Sequence, residues 1–186
     1  MNCFMWLAFF HFLLNNCRCR RGKNSTQRFV DSWLGSWNVH ISVSPCPTGW
    51  VLYGRSCYLV IDVPTLEWDD ARRNCLKLGG DLVKITTAAE NQFILNLILK
   101  QPKVTHYGAW LGLRRKADTK FYWTDDTLLS GYSAWGTGEP NNPSSEKCGH
   151  IITSGSLRGK WNDWPCKLTK SAITDAPVIL CQRKSN

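Results

Sequence analysis

Cys46, Cys57, Cys75, Cys148, Cys166 and Cys181 constrain this chain more than any other feature. An even set of cysteines spread over one compact segment reads as a disulfide framework, which belongs to an oxidising compartment. The pairing itself stays open, because six cysteines can be joined in many ways. The chain has nine cysteines in all, and the other three, Cys3, Cys17 and Cys19, lie in its first 19 residues. Cys3 to Leu14 is an uncharged apolar run broken only by His11. It is shorter than the roughly 20 residues that a spanning helix needs, and it suits the apolar core of a secretory signal peptide. A signal peptide over residues 1–19, cleaved after Cys19, leaves the six cysteines and predicts a secreted, extracellular product. No basic residue precedes the run. A short type II membrane anchor followed by Arg18, Arg20, Arg21 and Lys23 is the rival reading.

Residues 20–45 read as a short stalk. It holds the sequon Asn24-Ser25-Thr26, a glycosylation acceptor at Asn24 if the chain is secreted. Phe29, Val30, Trp33, Leu34 and Trp37 have the spacing of an amphipathic helix, suited to packing on the domain or on another subunit. No Gly-X-Y repeat, sustained heptad or internal repeat marks an oligomerisation stalk.

The compact domain runs over 46–184, with a tail at 185–186. Cys46 to Tyr58 predicts a short hairpin. Thr65 to Leu78 predicts a helix with Trp68, Ala71, Cys75 and Leu78 on one face, ended by Gly79-Gly80. Thr87-Ala88-Ala89-Glu90 reads as a capping box opening a second helix with Phe93, Ile94, Leu97 and Ile98 inward. Trp110-Leu111-Gly112-Leu113, Phe121 to Trp123, Cys148 to Ile152, the stretch around Trp161 and Val178 to Cys181 read as strands. Helices and strands are segregated, which predicts an α+β fold with antiparallel sheet. The chain between Gly131 and Asp163 is rich in Gly, Pro, Asn and Ser, and a loop region of that length is usually functional.

That region carries the chemistry. Glu139, Asn141, Glu146, Asn162 and Asp163 are all oxygen donors. Calcium takes roughly six to eight oxygens, mostly from carboxylates and amide carbonyls. Three carboxylates and two amides leave room for a neutral, oxygen-rich ligand such as a sugar diol. Alone, Glu139-Pro140-Asn141 is an ordinary turn tripeptide. Joined to Glu146 and Trp161-Asn162-Asp163 it is a candidate calcium site.

The order Cys46, Cys57, Cys75, Trp-Leu-Gly-Leu, Glu-Pro-Asn, Cys148, Trp-Asn-Asp, Cys166, Cys181 resembles a C-type lectin domain of the long form with an extra N-terminal hairpin. The resemblance covers about Cys46 to Lys184. It implies the C-type lectin fold: two helices, small antiparallel sheets, a long calcium-binding loop and three disulfides, Cys46–Cys57, Cys75–Cys181 and Cys148–Cys166. It implies a binding module rather than an enzyme. Glu-Pro-Asn marks the mannose-type sites of that family, which bind mannose, N-acetylglucosamine, fucose or glucose; the galactose type has Gln-Pro-Asp. Glu139, Asn141, Glu146, Asn162 and Asp163 would then hold one calcium ion and the sugar hydroxyls together. Glu139 and Glu146 would accept from those hydroxyls, and Asn141 and Asn162 would donate to them. The bond before Pro140 would be cis with calcium bound. Trp164 would pack against the sugar, or else anchor the loop as a core residue. Arg114-Arg115-Lys116 occupies the segment that supplies acids for an auxiliary calcium in some members, and Lys147 follows Glu146, so no such ion is expected.

The expected partners are glycans bearing mannose-type sugars on cells or microbes. The formal charge is +9, with Lys and Arg scattered and no basic tract carrying regularly spaced aromatics, which argues against nucleic acid. A solvated basic surface suffices; a basic antimicrobial protein is a remote further reading. No Cys or His pair in the domain has the close spacing of zinc ligands. His11, His40, His106 and His150 are isolated, and no nucleophile is accompanied by a base and an orienting group. A protein-binding module on the same fold and a membrane-anchored glycan receptor remain as alternatives.

Overall fold

The computed structural model describes residues 44–186. The expected signal peptide, the sequon at Asn24 and the Trp33/Trp37 face lie outside the described residues. Among those described, no helix is long and apolar enough to cross a membrane.

β1 (Val51–Tyr53) and β2 (Ser56–Ile61) form the expected hairpin, with Gly54 at a positive φ of 60° in its turn. Glycine takes that conformation without a Cβ penalty. The Cys46–Cys57 disulfide staples the hairpin to the segment before it. β2 then pairs antiparallel with the last strand, β8 (Ile179–Lys184), which takes the short β3 (Asp81–Leu82) on its other edge. The first sheet thus has the order β1-β2-β8-β3. The second, β5-β4-β6-β7, is built from β4 (Ala109–Arg115), β5 (Phe121–Trp123), β6 (Cys148–Ile151) and β7 (Trp161–Trp164), all antiparallel.

Gly112 explains why the sheets can meet. Its N–H donates to Val83 O at 2.8 Å, and a Cβ there would lie 2.8 Å from Leu82 O and 2.9 Å from Val83 O. Only a residue without a side chain allows that approach.

α1 (Trp68–Lys77) buries Trp68, Ala71 and Cys75, and Cys75 is bridged to Cys181 in β8. Two details differ from the sequence expectation. The helix starts at Trp68 rather than Thr65, because the N–H groups of Thr65 and Trp68 donate to Pro177 O and Cys166 O, and Leu66 O accepts from Leu168 N. The 65–68 segment is therefore docked on the stretch between Cys166 and Cys181, whose path could not be read from sequence. Leu78 is 44% exposed, since the chain leaves helical geometry at this C-cap and turns at Gly79 (φ 75°).

α2 (Ala88–Ile98) begins at Thr87, whose Oγ1 accepts from Glu90 N at 3.1 Å. The reciprocal half of the capping box is absent. The Glu90 carboxylate accepts instead from Thr86 N at 2.7 Å and from the Tyr58 hydroxyl at 2.6 Å, tying the helix start to β2. Ile94, Leu97 and Ile98 pack inward as expected, with Leu95 added and Phe93 only partly buried. The main core gathers these with Leu111, Leu113, Ile151, Trp161 and Leu180. A smaller core of Trp68, Trp110, Cys148 and Ile179 surrounds the disulfides, including Cys148–Cys166.

Candidate calcium and sugar site

β7 and the long segment before β6 come together at one end of the second sheet. Trp161 is buried, and its indole N–H donates to Asn91 Oδ1 at 2.7 Å, which locks the strand on α2. The loop returns along β7 through Gly136 N, which donates to Trp161 O at 2.9 Å. It then turns through Glu139 and a cis Glu139–Pro140 bond. Asn141 N donates to Asp163 Oδ1 at 2.9 Å, and Asn141 Nδ2 to Glu139 Oε2 at 2.6 Å. Asn142, at a positive φ of 40°, donates through Nδ2 to Glu146 Oε2 at 3.2 Å. Glu139, Asn141 and Asp163 are thus in direct mutual contact, Glu146 is joined through Asn142, and Asn162 is the neighbour of Asp163 on the strand.

Two observations describe the chemistry of this cluster. The Glu139 carboxyl is raised above the usual carboxylate range, first by burial and then by the charges of Asp163 and Glu146. The acids are close enough to repel one another, which a cation relieves. The side-chain oxygens of Asn141 and Asn162 are buried with no hydrogen-bond partner. A buried carbonyl without a partner is costly and uncommon in native structures. Among the described residues no three His, Cys, Asp or Glu side chains group closely enough to hold an ion by themselves. The amide oxygens of Asn141 and Asn162 would add to the carboxylates as ligands for an ion. Orphaned amide oxygens beside crowded carboxylates fit a hard, oxygen-seeking cation such as calcium.

Arg115 was not among the sequence-predicted site residues, yet it reaches into the cluster. Its Nη2 lies 2.5 Å from Asp163 Oδ2. The available signal was strand alternation: Arg115 follows Leu111 and Leu113 at period two, on the inward side. Trp164 stacks on Tyr107 (4.1 Å between centroids, 28° between planes) and borders His150 at 5.4 Å, so it anchors β7 on the smaller core while staying partly exposed.

The family model "Lectin C-type domain" matches residues 65–173, more than half of the chain. The chain belongs to the C-type lectin family. Members of this family are non-enzymatic carbohydrate-binding modules, and the C-type lectin fold expected from the motifs is the one observed, with its two helices, two sheets and three disulfides. A perlucin-like protein of Mytilus galloprovincialis is 37% identical over 122 residues, covering 65% of this C-type lectin and 76% of the mussel protein. The cow C-type carbohydrate-recognition domain of CD23, solved in the presence of GlcNAc2Man3 oligosaccharide, superposes with a TM-score of 0.62 at 29% identity, covering 77% of this chain and 99% of that one. A calcium-independent type II antifreeze protein superposes equally well, with a TM-score of 0.62 at 26% identity over 79% of this chain and 100% of its own. C-type lectins are often extracellular, and the relatives include the C-type mannose receptor 2 of Mus musculus, 32% identical over 160 residues that cover 83% of this chain and 10% of that one.

Proposed function

We propose that this chain is a secreted, calcium-dependent lectin for mannose-type sugars, acting in recognition of cells or microbes. One calcium ion is held by Glu139, Asn141, Glu146, Asn162 and Asp163. The pair of buried, unpartnered amide oxygens at Asn141 and Asn162 carries this reading, because an oxygen-bound cation is what would satisfy both. Two vicinal sugar hydroxyls complete the shell. They donate to the carboxylates, which only accept, and receive hydrogen bonds from the amide nitrogens. Trp164, partly exposed on Tyr107, offers an aromatic surface to the sugar's C–H face. The acid at 139 and the amide at 141 set the mannose-type order, and the cow CD23 domain solved with GlcNAc2Man3 oligosaccharide supports that class. Residues 1–19 act as the signal peptide, residues 20–45 as a stalk glycosylated at Asn24, and 46–184 as the binding domain.

The test is retention of the Arg20–Asn186 protein on mannose beads with calcium, with chelator, and with free mannose or galactose as competitors. Retention that needs calcium and is released by mannose but not galactose is expected. No retention on dense beads would make a protein-binding module the leading reading. Two observations favour that second reading: a protein cation, Arg115, sits on Asp163, and the fold is shared with a calcium-independent protein.

A further inference from the structure

Arg115 ends β4 beneath the candidate ligand loop. Its side chain is only 8% exposed, and the Asp163 side chain is wholly buried. Nη2 donates to Asp163 Oδ2 at 2.5 Å and to Asn141 O at 3.0 Å. Nε donates to Glu146 O at 3.2 Å and Nη1 to Thr119 O at 3.3 Å. The guanidinium lies 4.6 Å from the centroid of the Phe121 ring, which faces it. One cation thereby collects oxygens from β7, from the residue after the cis proline, and from the residue two before Cys148. Three of the five candidate ligands hang on it.

We propose that Arg115 is a tethered cation that assembles the ligand loop before any metal ion arrives, a positioning residue for the calcium site. The relevance of the loop rests on the preceding functional reading, but the bridging itself needs no ion. The loop's own bonds are local: Glu139 N to Gly136 O, and Ser145 N and Glu146 N to Asn142 O. Between residues 139 and 146, the attachments to the rest of the domain run through Arg115 and Asp163. A guanidinium suits the task because its planar fork of donors can serve several acceptors at once and it never deprotonates. An ammonium is a point charge and cannot span them. A carboxylate offers about four acceptor positions, so Asp163 can serve Arg115, Asn141 N and an ion together. An ion entering a loop already in place bears less of the cost of ordering it.

The experiment is amide hydrogen exchange on the full chain for the wild type, Arg115→Gln and Arg115→Lys, in chelator and in saturating calcium. In chelator, the amides of Glu139, Asn141 and Glu146 should exchange roughly tenfold or more slowly in the wild type than in R115Q, the change expected from losing a charge-assisted hydrogen bond. R115K should resemble R115Q. Calcium should bring R115Q back toward the wild type. Amides of β2 and β8 report that each variant is folded. Free exchange of the wild-type loop in chelator, with β2 and β8 protected, overturns the proposal without any variant. So does equal loop protection in R115Q, and full rescue by R115K would make charge alone the agent and remove the bridging role. A wild-type loop protected in chelator but indifferent to calcium would leave Arg115's role standing and defeat the calcium reading instead.

Discussion

At Asn162 a buried amide oxygen faces no donor, and the residue can be judged by what happens when that oxygen is removed. Asn162→Ala deletes an unsatisfied acceptor, so in chelator the melting temperature should stay level or rise. The same change should weaken calcium about tenfold or more, read by titration calorimetry, if the oxygen is a ligand. A lower melting temperature in chelator with unchanged calcium affinity would make Asn162 structural. His150 makes a different prediction. It is fully buried among Tyr107, Trp110 and Trp164, and neither ring nitrogen has a partner. Burial, aided by the nearby His106 charge, pushes it down to about 3 from an ordinary 6.5. Below the higher value the unfolded chain takes a proton that the folded chain refuses, so stability falls as the pH drops through that window. By pH 5 this costs about 2 kcal/mol relative to neutral pH, and His150→Phe should lose that much less over the same range in denaturant titrations under chelator. Equal pH slopes for the two proteins would refute it. Its strand position favours a packed residue over a catalyst, and the structure buries it fully; that both ring nitrogens lack a partner depends on Tyr107, Trp110 and Trp164, which strand position alone does not reveal.

At the scale of elements, local chemistry was readable and docking was not. The glycines after α1, the threonine before α2 and the strand-like apolar runs each appear where their spacing implied. The first turn of α1 and the back half of the capping box do not, because Pro177, Cys166 and Tyr58 compete for the same groups from far along the chain. Disulfide pairing likewise came from family likeness rather than from spacing. The three bridges close loops of very different length, 11 residues for Cys46–Cys57 and 106 for Cys75–Cys181. Chain-entropy arguments give about 3 kcal/mol for a short loop and nearer 5 for a long one. Paired alanine substitutions should follow that order in urea titrations, with Cys46→Ala/Cys57→Ala the milder and leaving calcium binding intact. A reversed order would mean that the hairpin staple does more than restrain the unfolded chain.

For the whole molecule, the candidate site was legible as a list of oxygen donors, while its internal cation was not, since Arg115 is distant in sequence from the loop it holds. A single shallow sugar site binds weakly, and useful avidity requires several sites on one scaffold. The protein from Arg20 onward should therefore be held on dense mannose surfaces more tightly than residues 44–186 alone, if the Trp33/Trp37 segment joins copies. Equal off-rates in surface plasmon resonance would show that valency comes from elsewhere. One feature of the first sheet bears on how such domains travel between proteins. β2 and β8 run side by side, and Asn186 N donates to Pro45 O at 2.9 Å, while Ser185 N donates to Arg55 O. The polypeptide enters and leaves this domain through one doorway. A host chain can be cut at any exposed loop and this unit spliced in with hardly a gap to span, so the fold is ready-made for gene shuffling into longer architectures.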